Sequence, residues 1–426
     1  MKKALVLGSG FVSEPLVEYL TRESSNVTVT LASILKDQAD TIASKYPRVK
    51  SIFLDVTGQP DLLSKLIGEV DIVVSLLPPA LHPRIASVCI KNKVNMVTAS
   101  YCLPPLAALS EEATNAGVSI INEVGLDPGI DHLLAMECFD EIHSKGGKVE
   151  SFISYCGGLP APEASHNALR YKFSWSPRCA LFNTLNPAKY LKDGEIVEIP
   201  AGGALMDAIE TRNFLPGLQF EGHPNRDSLM YKKLYGIPEA ATILRGTLRY
   251  QGNANAIKAL HLLGLIDPKP IPALDSNNAL DISWRQLICQ LLHHFDEISY
   301  DNLKHQLLKV FKCDMQKLDT IESLGLLDDV LVQKMDSPLD TLSNYLSQKL
   351  AFGENERDLV ALLHEVQILW PDGSRELREI NLIAHGEPGE IKQKGTVGPF
   401  TADIYQPMLN RLRGEGIVAE TKSKFL

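Results

Sequence analysis

Six short apolar runs, Ala4-Leu7, Val27-Leu31, Ser51-Leu54, Ile72-Ser75, Asn95-Thr98 and Ser119-Ile121, alternate with stretches of helical length such as Lys36-Lys45 and Pro104-Ala116. Strands and helices that alternate in this way are joined by crossovers, which make the strands parallel and cover both faces of the sheet. The N-terminal third is therefore expected to fold as an α/β, doubly wound parallel sheet. Its first strand runs into Gly8-Ser9-Gly10-Phe11-Val12-Ser13, a G-x-G-x-x-S form of the dinucleotide fingerprint with Ser13 in place of the third glycine. The first two glycines of such a turn let the backbone bend tightly and approach a pyrophosphate at a helix N-terminus.

Composition narrows the partners. With 426 residues, 45% of them hydrophobic and 22% charged, the chain has room for two or three domains and the balance of a globular protein. A net charge of −10 argues against nucleic acid or an anionic membrane surface, since both recruit clustered Lys and Arg. An anionic ligand must then be met by local cations. No apolar run reaches the roughly 18 residues of a membrane span. Met1-Lys2-Lys3 leads straight into strand-like Ala4-Leu7, which gives a cytoplasmic expectation. The seven cysteines are odd in number and form no CxxC pair, so neither a disulfide framework nor a metal site is expected.

Ligands of doubly wound sheets bind beyond the carboxyl ends of the strands. The second strand ends in Leu31-Ala32-Ser33-Ile34-Leu35-Lys36, with neither an acid for a ribose 2′-OH nor an Arg for a 2′-phosphate. Asp55 follows the third, Ser75-Leu76-Leu77-Pro78 closes the fourth, and Ala99-Ser100-Tyr101 ends the fifth; local capping would by itself account for Asp55 and Ser75. After the sixth comes Asn122-Glu123-Val124-Gly125-Leu126-Asp127-Pro128-Gly129-Ile130-Asp131-His132. Pro128 biases Asp127 away from helix, so its carboxylate should stay at the strand tip and N-cap the helix that follows. Asp131 and His132 read as cap and packing residues and are given no chemistry.

Farther on, Ser154-Tyr155-Cys156-Gly157-Gly158-Leu159-Pro160-Ala161-Pro162 puts a phenol and a thiol on a strand that the two glycines and two prolines should end. The segment looks suited to holding groups rather than filling a core, an inert buried Cys being the alternative. Residues 255–348 are rich in Leu at helical spacing, as in Ile257, Leu260 and Leu263, and read as a helical module. Val360-Leu369 and Arg375-Ala384 flank Asp372-Gly373 as a hairpin, and Pro399 to Leu412 reads as a final helix.

These motifs, together with Tyr171-Lys172-Phe173-Ser174-Trp175-Ser176, Pro224-Asn225-Arg226-Asp227-Ser228 and Arg245-Gly246-Thr247-Leu248-Arg249-Tyr250, resemble from end to end the glutamate-forming saccharopine dehydrogenases. That family includes the fungal saccharopine reductases and the C-terminal half of the plant and animal aminoadipic semialdehyde synthases. The resemblance implies a Rossmann dinucleotide domain of residues 1–127 and 390–426. It further implies an α/β substrate domain with a mixed sheet, residues 128–254 and 349–389, and a small inserted all-α domain, residues 255–348. The implied reaction is oxidation of saccharopine by NAD, with NADP possible, and hydrolysis of the imine to glutamate and 2-aminoadipate 6-semialdehyde. The expected assembly is a homodimer, cytoplasmic if it stands alone and mitochondrial within a longer animal enzyme.

By the same resemblance Ser9, Gly10, Phe11 and Val12 line the pyrophosphate and Asp55 and Val56 the adenosine, with Ser33 also in the cofactor set. Leu76 and Ser100 face the ribose and nicotinamide, Leu126, Asp127 and Pro128 the redox face, and Ser176 reaches the cofactor from the substrate domain. Ser100, Tyr101, Asp127, Arg226, Thr247, Leu248 and Arg249 contact saccharopine, whose three carboxylates suit bidentate arginines. Tyr101, Asp127 and Cys156 surround the hydrolytic water, with Asp127 as proton acceptor and Cys156 as a group that positions water rather than attacks. One departure stands out. A Gly- and Ala-rich helical stretch that the family carries between His385-Gly386-Glu387-Pro388 and Ile391-Lys392 is missing, which keeps a weakly active, NAD-binding variant open. A dehydrogenase of carboxynorspermidine or homospermidine type is the other alternative.

Overall fold

In β1 (Lys2–Leu7) the residues Ala4 to Leu7 are at most 1% exposed, because the strand has helices on both sides. Leu5 and Leu7 enter one core with Leu63, Ile85 and Met96, while Ala4 and Val6 enter another with Val17, Leu31 and Ile42. The structure is a computed structural model that describes residues 1–277, 280–293, 299–386 and 402–426. The departure at residues 387–392 lies outside the described residues, as do residues 399–401 of the expected final helix.

With β2 (Val27–Ser33), β3 (Val49–Phe53), β4 (Ile72–Ser75), β5 (Asn95–Thr98) and β6 (Ile120–Ile121), β1 forms a parallel sheet in the order β3-β2-β1-β4-β5-β6. Strand order reverses between β1 and β4, and ligands of such sheets bind in the crevice beyond that point. The doubly wound reading is thus realised. The stretch Pro104-Ala116 divides into two short helices, Pro104–Ala107 and Ser110–Ala116.

The chain packs as two units. The first is Met1–Lys145 with the helix Ala402–Gly414; the second is residues 146–386 with a closing strand near the C-terminus. The second unit is built on a mixed sheet, nine-stranded among the described residues. It contains β7 (Lys148–Pro160), β8 (Ala188–Lys192), β9 (Glu195–Ile199), β10 (Glu210–Arg212), β11 (Phe220–Pro224), β12 (Thr242–Tyr250), β13 (Asp358–Leu369), β14 (Arg375–His385) and β15 (Glu420–Phe425). Its main path runs β10-β11-β12-β7-β13-β14-β15, with β7 and β12 parallel.

Three expectations are revised. Gly157 and Gly158 do not end β7, which pairs onward with Ala361 and Val360 to Pro160. The glycine serves closeness: a Cβ at Gly157 would lie 2.7 Å from the Leu248 carbonyl of the neighbouring strand. Second, residues 390–426 do not all belong with the dinucleotide sheet, because β15 pairs antiparallel with β14. The helix Ile130–Ser144, assigned to the substrate domain, falls in the first unit. Third, the helices of residues 255–348 do not keep a core of their own. Leu287, Leu318 and Leu342 join Leu159, Leu248 and Leu359 of the sheet in one continuous cluster.

Candidate active site

Gly8 takes φ +105° to turn the chain out of β1, and its carbonyl accepts a 2.9 Å hydrogen bond from the Ser13 hydroxyl. The serine that replaces the third glycine is thus engaged inside the turn. At Gly10 an added Cβ would meet nothing within 4 Å, so the backbone there faces open space. The Ser9 hydroxyl turns inward and donates to Ser33 Oγ at 2.9 Å, and Ser33 Oγ accepts the Leu35 N–H at 3.0 Å. Two residues expected around the cofactor therefore tie the end of β1 to the end of β2. Phe11 is exposed, and Val12 precedes the helix Ser13–Thr21.

Asp55 makes a local turn, accepting from the Thr57 hydroxyl at 2.6 Å and N–H at 2.8 Å, bonds that hold its pKa below the usual carboxylate range. Val56 sends its side chain into the core with Leu54 and Leu63. Leu76 is half-buried where its N–H meets the Leu7 carbonyl. A dinucleotide fits this edge: the glycine turn has room at Gly10, a helix starts behind it, and Ser33, Ile34 and Leu35 offer no charge. Lys36 pairs with Asp40 and lies 3.3 Å from Ser51 Oγ. An exposed pair of this kind is worth at most about 1 kcal/mol, so a 2′-phosphate would recruit Lys36 at little cost.

Ser75 does not face outward. Its hydroxyl lies 3.1 Å from Nδ1 of His82, whose Nε2 is 3.0 Å from both Thr98 Oγ1 and Ser100 Oγ. His82 is 1% exposed, and burial pushes its pKa down to about 4, so it is a neutral hub joining the ends of β4 and β5. Sequence reasoning missed it, since one His on the apolar side of the helix His82–Asn92 has no distinguishing pattern.

Beyond β5 and β6 the Tyr101 hydroxyl donates to Asp127 Oδ1 at 3.0 Å. Asp127 does not cap the following helix. Gly129 occupies the cap position, and its N–H goes to the Asp131 carboxylate at 2.6 Å. The reason lies in the loop, which closes on itself through Gly125 N–H to Pro128 O at 2.8 Å and Ile130 N–H to Gly125 O at 2.9 Å. A Cβ at Gly129 would sit 1.9 Å from the Gly125 oxygen, so only glycine closes the loop. Leu126 and Asp127 are left half-buried while Pro128, joined to Asp127 by a cis peptide, is buried.

In the second unit the sheet itself presents the polar groups. Cys156 on β7 is in register with Thr247 on β12, and Thr247 with His223 on β11. Registered neighbours share a face, and Arg249 lies two residues along from Thr247 on the same side. Leu248 between them is 0% exposed and belongs to the opposite core, so of this expected substrate residue only the backbone faces the site's strands. The Arg249 guanidinium lies 4.6 Å from the Tyr171 ring centroid and donates to Leu248 O at 2.7 Å. Burial and the nearby Arg249 charge push His223 down to about 4.

Arg226 follows β11 with φ +57°, a left-handed conformation that costs an Arg about 1–3 kcal/mol and persists only where surroundings impose it. Here the Arg226 carbonyl accepts the Lys189 N–H at 2.8 Å, and the guanidinium donates to Asn183 Oδ1 at 3.3 Å. Asn183 ends the helix Pro177–Asn183, whose N-cap is Ser176, accepting from the Cys179 N–H at 3.3 Å. Tyr155 is the motif residue that departs most from expectation. It is 0% exposed and fills the core, its ring lying where a Cβ on Gly222 or Gly246 would come within 2.4 Å. Among the described residues no group of three or more His, Cys, Asp or Glu is arranged to hold a metal ion, and no helix is long and apolar enough to cross a membrane.

Residues 4–121 match the saccharopine dehydrogenase NADP binding domain and residues 125–389 the saccharopine dehydrogenase C-terminal domain. The mitochondrial alpha-aminoadipic semialdehyde synthase of Bos taurus is 42% identical over 445 residues, covering 99% of this chain and 48% of the relative. The saccharopine dehydrogenase [NADP(+), L-glutamate-forming] of Saccharomyces cerevisiae is 38% identical over 453 residues, covering 99% of each. The chain thus spans about half the length of the mammalian relatives and nearly all of the yeast one. A solved apo structure of the yeast L-Glu-forming enzyme superposes with a TM-score of 0.84 at 36% identity, covering 100% of both chains.

Proposed function

Because the chain belongs to the saccharopine dehydrogenase family, we propose that it oxidises the secondary amine of saccharopine with a nicotinamide dinucleotide and hydrolyses the imine to glutamate and 2-aminoadipate 6-semialdehyde. The observation that carries this reading is the 3.0 Å bond from Tyr101 to the Asp127 carboxylate at the carboxyl edge of the first sheet. When bound, the nucleotide supplies the hydride acceptor. Ser9, Gly10, Phe11, Val12, Ser33, Asp55, Val56, Leu76, Ser100, Leu126, Asp127, Pro128 and Ser176 are its proposed contacts, through backbone for Ser9, Ser33 and Val56, whose side chains are buried. The neutral end of the second strand leaves the choice of nucleotide open; NAD is the proposed preference by likeness to the plant and animal relatives, with NADP possible.

Asp127 accepts the amine proton and releases it to solvent, then accepts a proton of the attacking water and returns it to the nitrogen that leaves as the glutamate amine, with Tyr101 holding the carboxylate in place. Cys156 helps to orient that water. Arg226 and Arg249 bind carboxylates of saccharopine, and Ser100 and Thr247 add hydroxyl contacts, with Leu248 contributing backbone. Most of the proposed nucleotide contacts lie in the first unit and the proposed carboxylate-binding arginines in the second, with the helices of 255–348 packed on the sheet of the second. A homodimer, cytoplasmic when the chain stands alone, completes the reading and is checked by light scattering and fractionation. The chemical step is tested by Asp127→Asn, which should lower kcat about 100- to 1000-fold while changing the saccharopine KM little. Unchanged kcat would remove Asp127 from the mechanism.

A further inference from the structure

A buried carboxylate and imidazole lie immediately behind the Tyr101–Asp127 pair, and neither has a part in the chemistry above. Glu123 is 3% exposed, His132 0% and Asp131 1%. Charged and polar side chains this deep are costly unless each serves a defined set of partners. Glu123 Oε2 lies 2.8 Å from His132 Nε2, and Glu123 Oε1 accepts the Cys102 N–H at 3.1 Å. The Glu123 N–H reaches back to the Ser100 carbonyl at 3.0 Å, and the residue holds φ +59° to do so. One residue therefore grips the chain on both sides of Tyr101.

The same side chain also reaches the segment that carries Asp127. His132 stands in the first turn of the helix that the Asp127 loop enters, and its Nδ1 lies 3.7 Å from Asp131 Oδ2. Asp131 in turn accepts the Gly129 N–H that closes the loop, at 2.6 Å. Hydrogen bonds thus link Cys102 N–H, Glu123 and His132, and His132 stands beside Asp131, at 3.7 Å rather than in a hydrogen bond, where Asp131 holds the Gly129 N–H. This contact joins the loop after β5 to the loop after β6, the two that hold Tyr101 and Asp127. Beyond the last registered pair of β5 and β6, it supplements the backbone bond from Glu123 N–H to Ser100 O.

We infer that Glu123, through His132, is a positioning residue that sets the distance between Tyr101 and Asp127. The inference rests on the function above only in taking that pair as the working one. Glu123→Ala removes the grip on the Cys102 N–H and takes a carboxylate away from His132. It should lower kcat about 100-fold, the scale of an ångström's misplacement at a reacting centre. Dissociation of NADH, read by fluorescence titration, and the saccharopine KM should stay within about threefold of wild type, since Tyr101 and Asp127 are a small share of the proposed contacts to either molecule whereas the chemical step depends on both. Glu123→Gln keeps an acceptor for Cys102 and a polar partner for His132, and should restore kcat to within about 10-fold of wild type, a neutral hydrogen bond being roughly half as strong as a charged one.

Two measurements decide. In a double-mutant cycle, Glu123→Ala should cost little more once Tyr101→Phe is present, because residues acting as one unit are non-additive; fully additive losses would overturn the inference. In crystals of the Glu123→Ala protein the Tyr101 hydroxyl should move away from Asp127, and a hydrogen bond still at its original length would overturn the inference whether or not the wild type oxidises saccharopine. A wild type inactive on saccharopine, in company with a variant whose Tyr101 hydroxyl has moved away, would retire the functional reading alone. If the alanine variant does not fold, Glu123→Asp serves both measurements, since one methylene fewer cannot span Cys102 and His132 together.

Discussion

In the first unit the proposed reactive groups, Tyr101 and Asp127, stand in loops past the ends of β5 and β6, whereas in the second the proposed site residues Cys156, Thr247 and Arg249 stand on the strands themselves. The loops have no ladder to fix them. They are held by backbone bonds of their own, such as Gly125 N–H to Pro128 O, and by buried polar groups, His82 beside Ser100 and Glu123 beside Cys102. The strand groups need no such support, because register fixes which face each presents and at what spacing. Each half is therefore vulnerable in its own way. Loss of a buried hydrogen bond should disturb chemistry in the first unit, and loss of sheet packing should disturb folding in the second.

The largest expected effect on the sheet side is at Arg249. Arg249→Ala removes a charged partner for a substrate carboxylate, an interaction worth about 1.5–3 kcal/mol, and should raise the saccharopine KM roughly 10- to 100-fold. Nucleotide dissociation, measured in parallel, should not move; a KM that stays put would take Arg249 out of the substrate site. Next comes Gly246→Ala, whose new Cβ would fall 2.3 Å from the Tyr155 ring and 2.8 Å from the His223 carbonyl. Overpacking of this kind costs about 1–3 kcal/mol, so urea unfolding should move to a lower midpoint, with an unfolding free energy reduced by that amount. An unshifted midpoint would mean that the Tyr155 ring moves aside freely.

The smallest effect concerns the loop side. His82 is held at about 4 in the fold against an ordinary 6.5, so the unfolded chain binds the proton first. Its contribution to stability is present above about 6.5 and is lost as pH falls toward 4. His223 and His261 in the second unit are depressed in the same direction, by burial first and, for His223, by Arg249 as well. Acid unfolding of wild type should therefore steepen below neutrality, and His82→Gln should flatten part of that slope. An identical slope in the variant would show that His82 is as easily protonated in the fold as out of it.

What could be read beforehand follows from how local each signal is. The alternation of apolar runs with helical stretches, headed by Gly8-Ser9-Gly10, was enough for the first sheet, since a crossover fold writes its topology into sequence order. The end of β7 is not legible in the sequence because Gly157 reads locally as a breaker, while its purpose is the nearness of Leu248 on another strand. Tyr155 looked like chemistry and is core, because the glycines that make room for it lie on β11 and β12, far along the chain. β15 gave no warning: all six of its residues are exposed, so it carries no apolar alternation and is held by backbone pairing with β14. Leu248 was grouped with Thr247 and Arg249 by motif, although a strand's period of two turns it the other way.

Turnover itself is the decisive observation: purified protein is supplied with saccharopine and NAD, then NADP, and nucleotide reduction is followed at 340 nm together with the glutamate formed, the absorbance band being that of the reduced nicotinamide. The proposed reaction requires reduction that depends on saccharopine and is matched mole for mole by glutamate. Reduction with carboxynorspermidine or homospermidine but not with saccharopine, or nucleotide binding with no reduction at all, would contradict it.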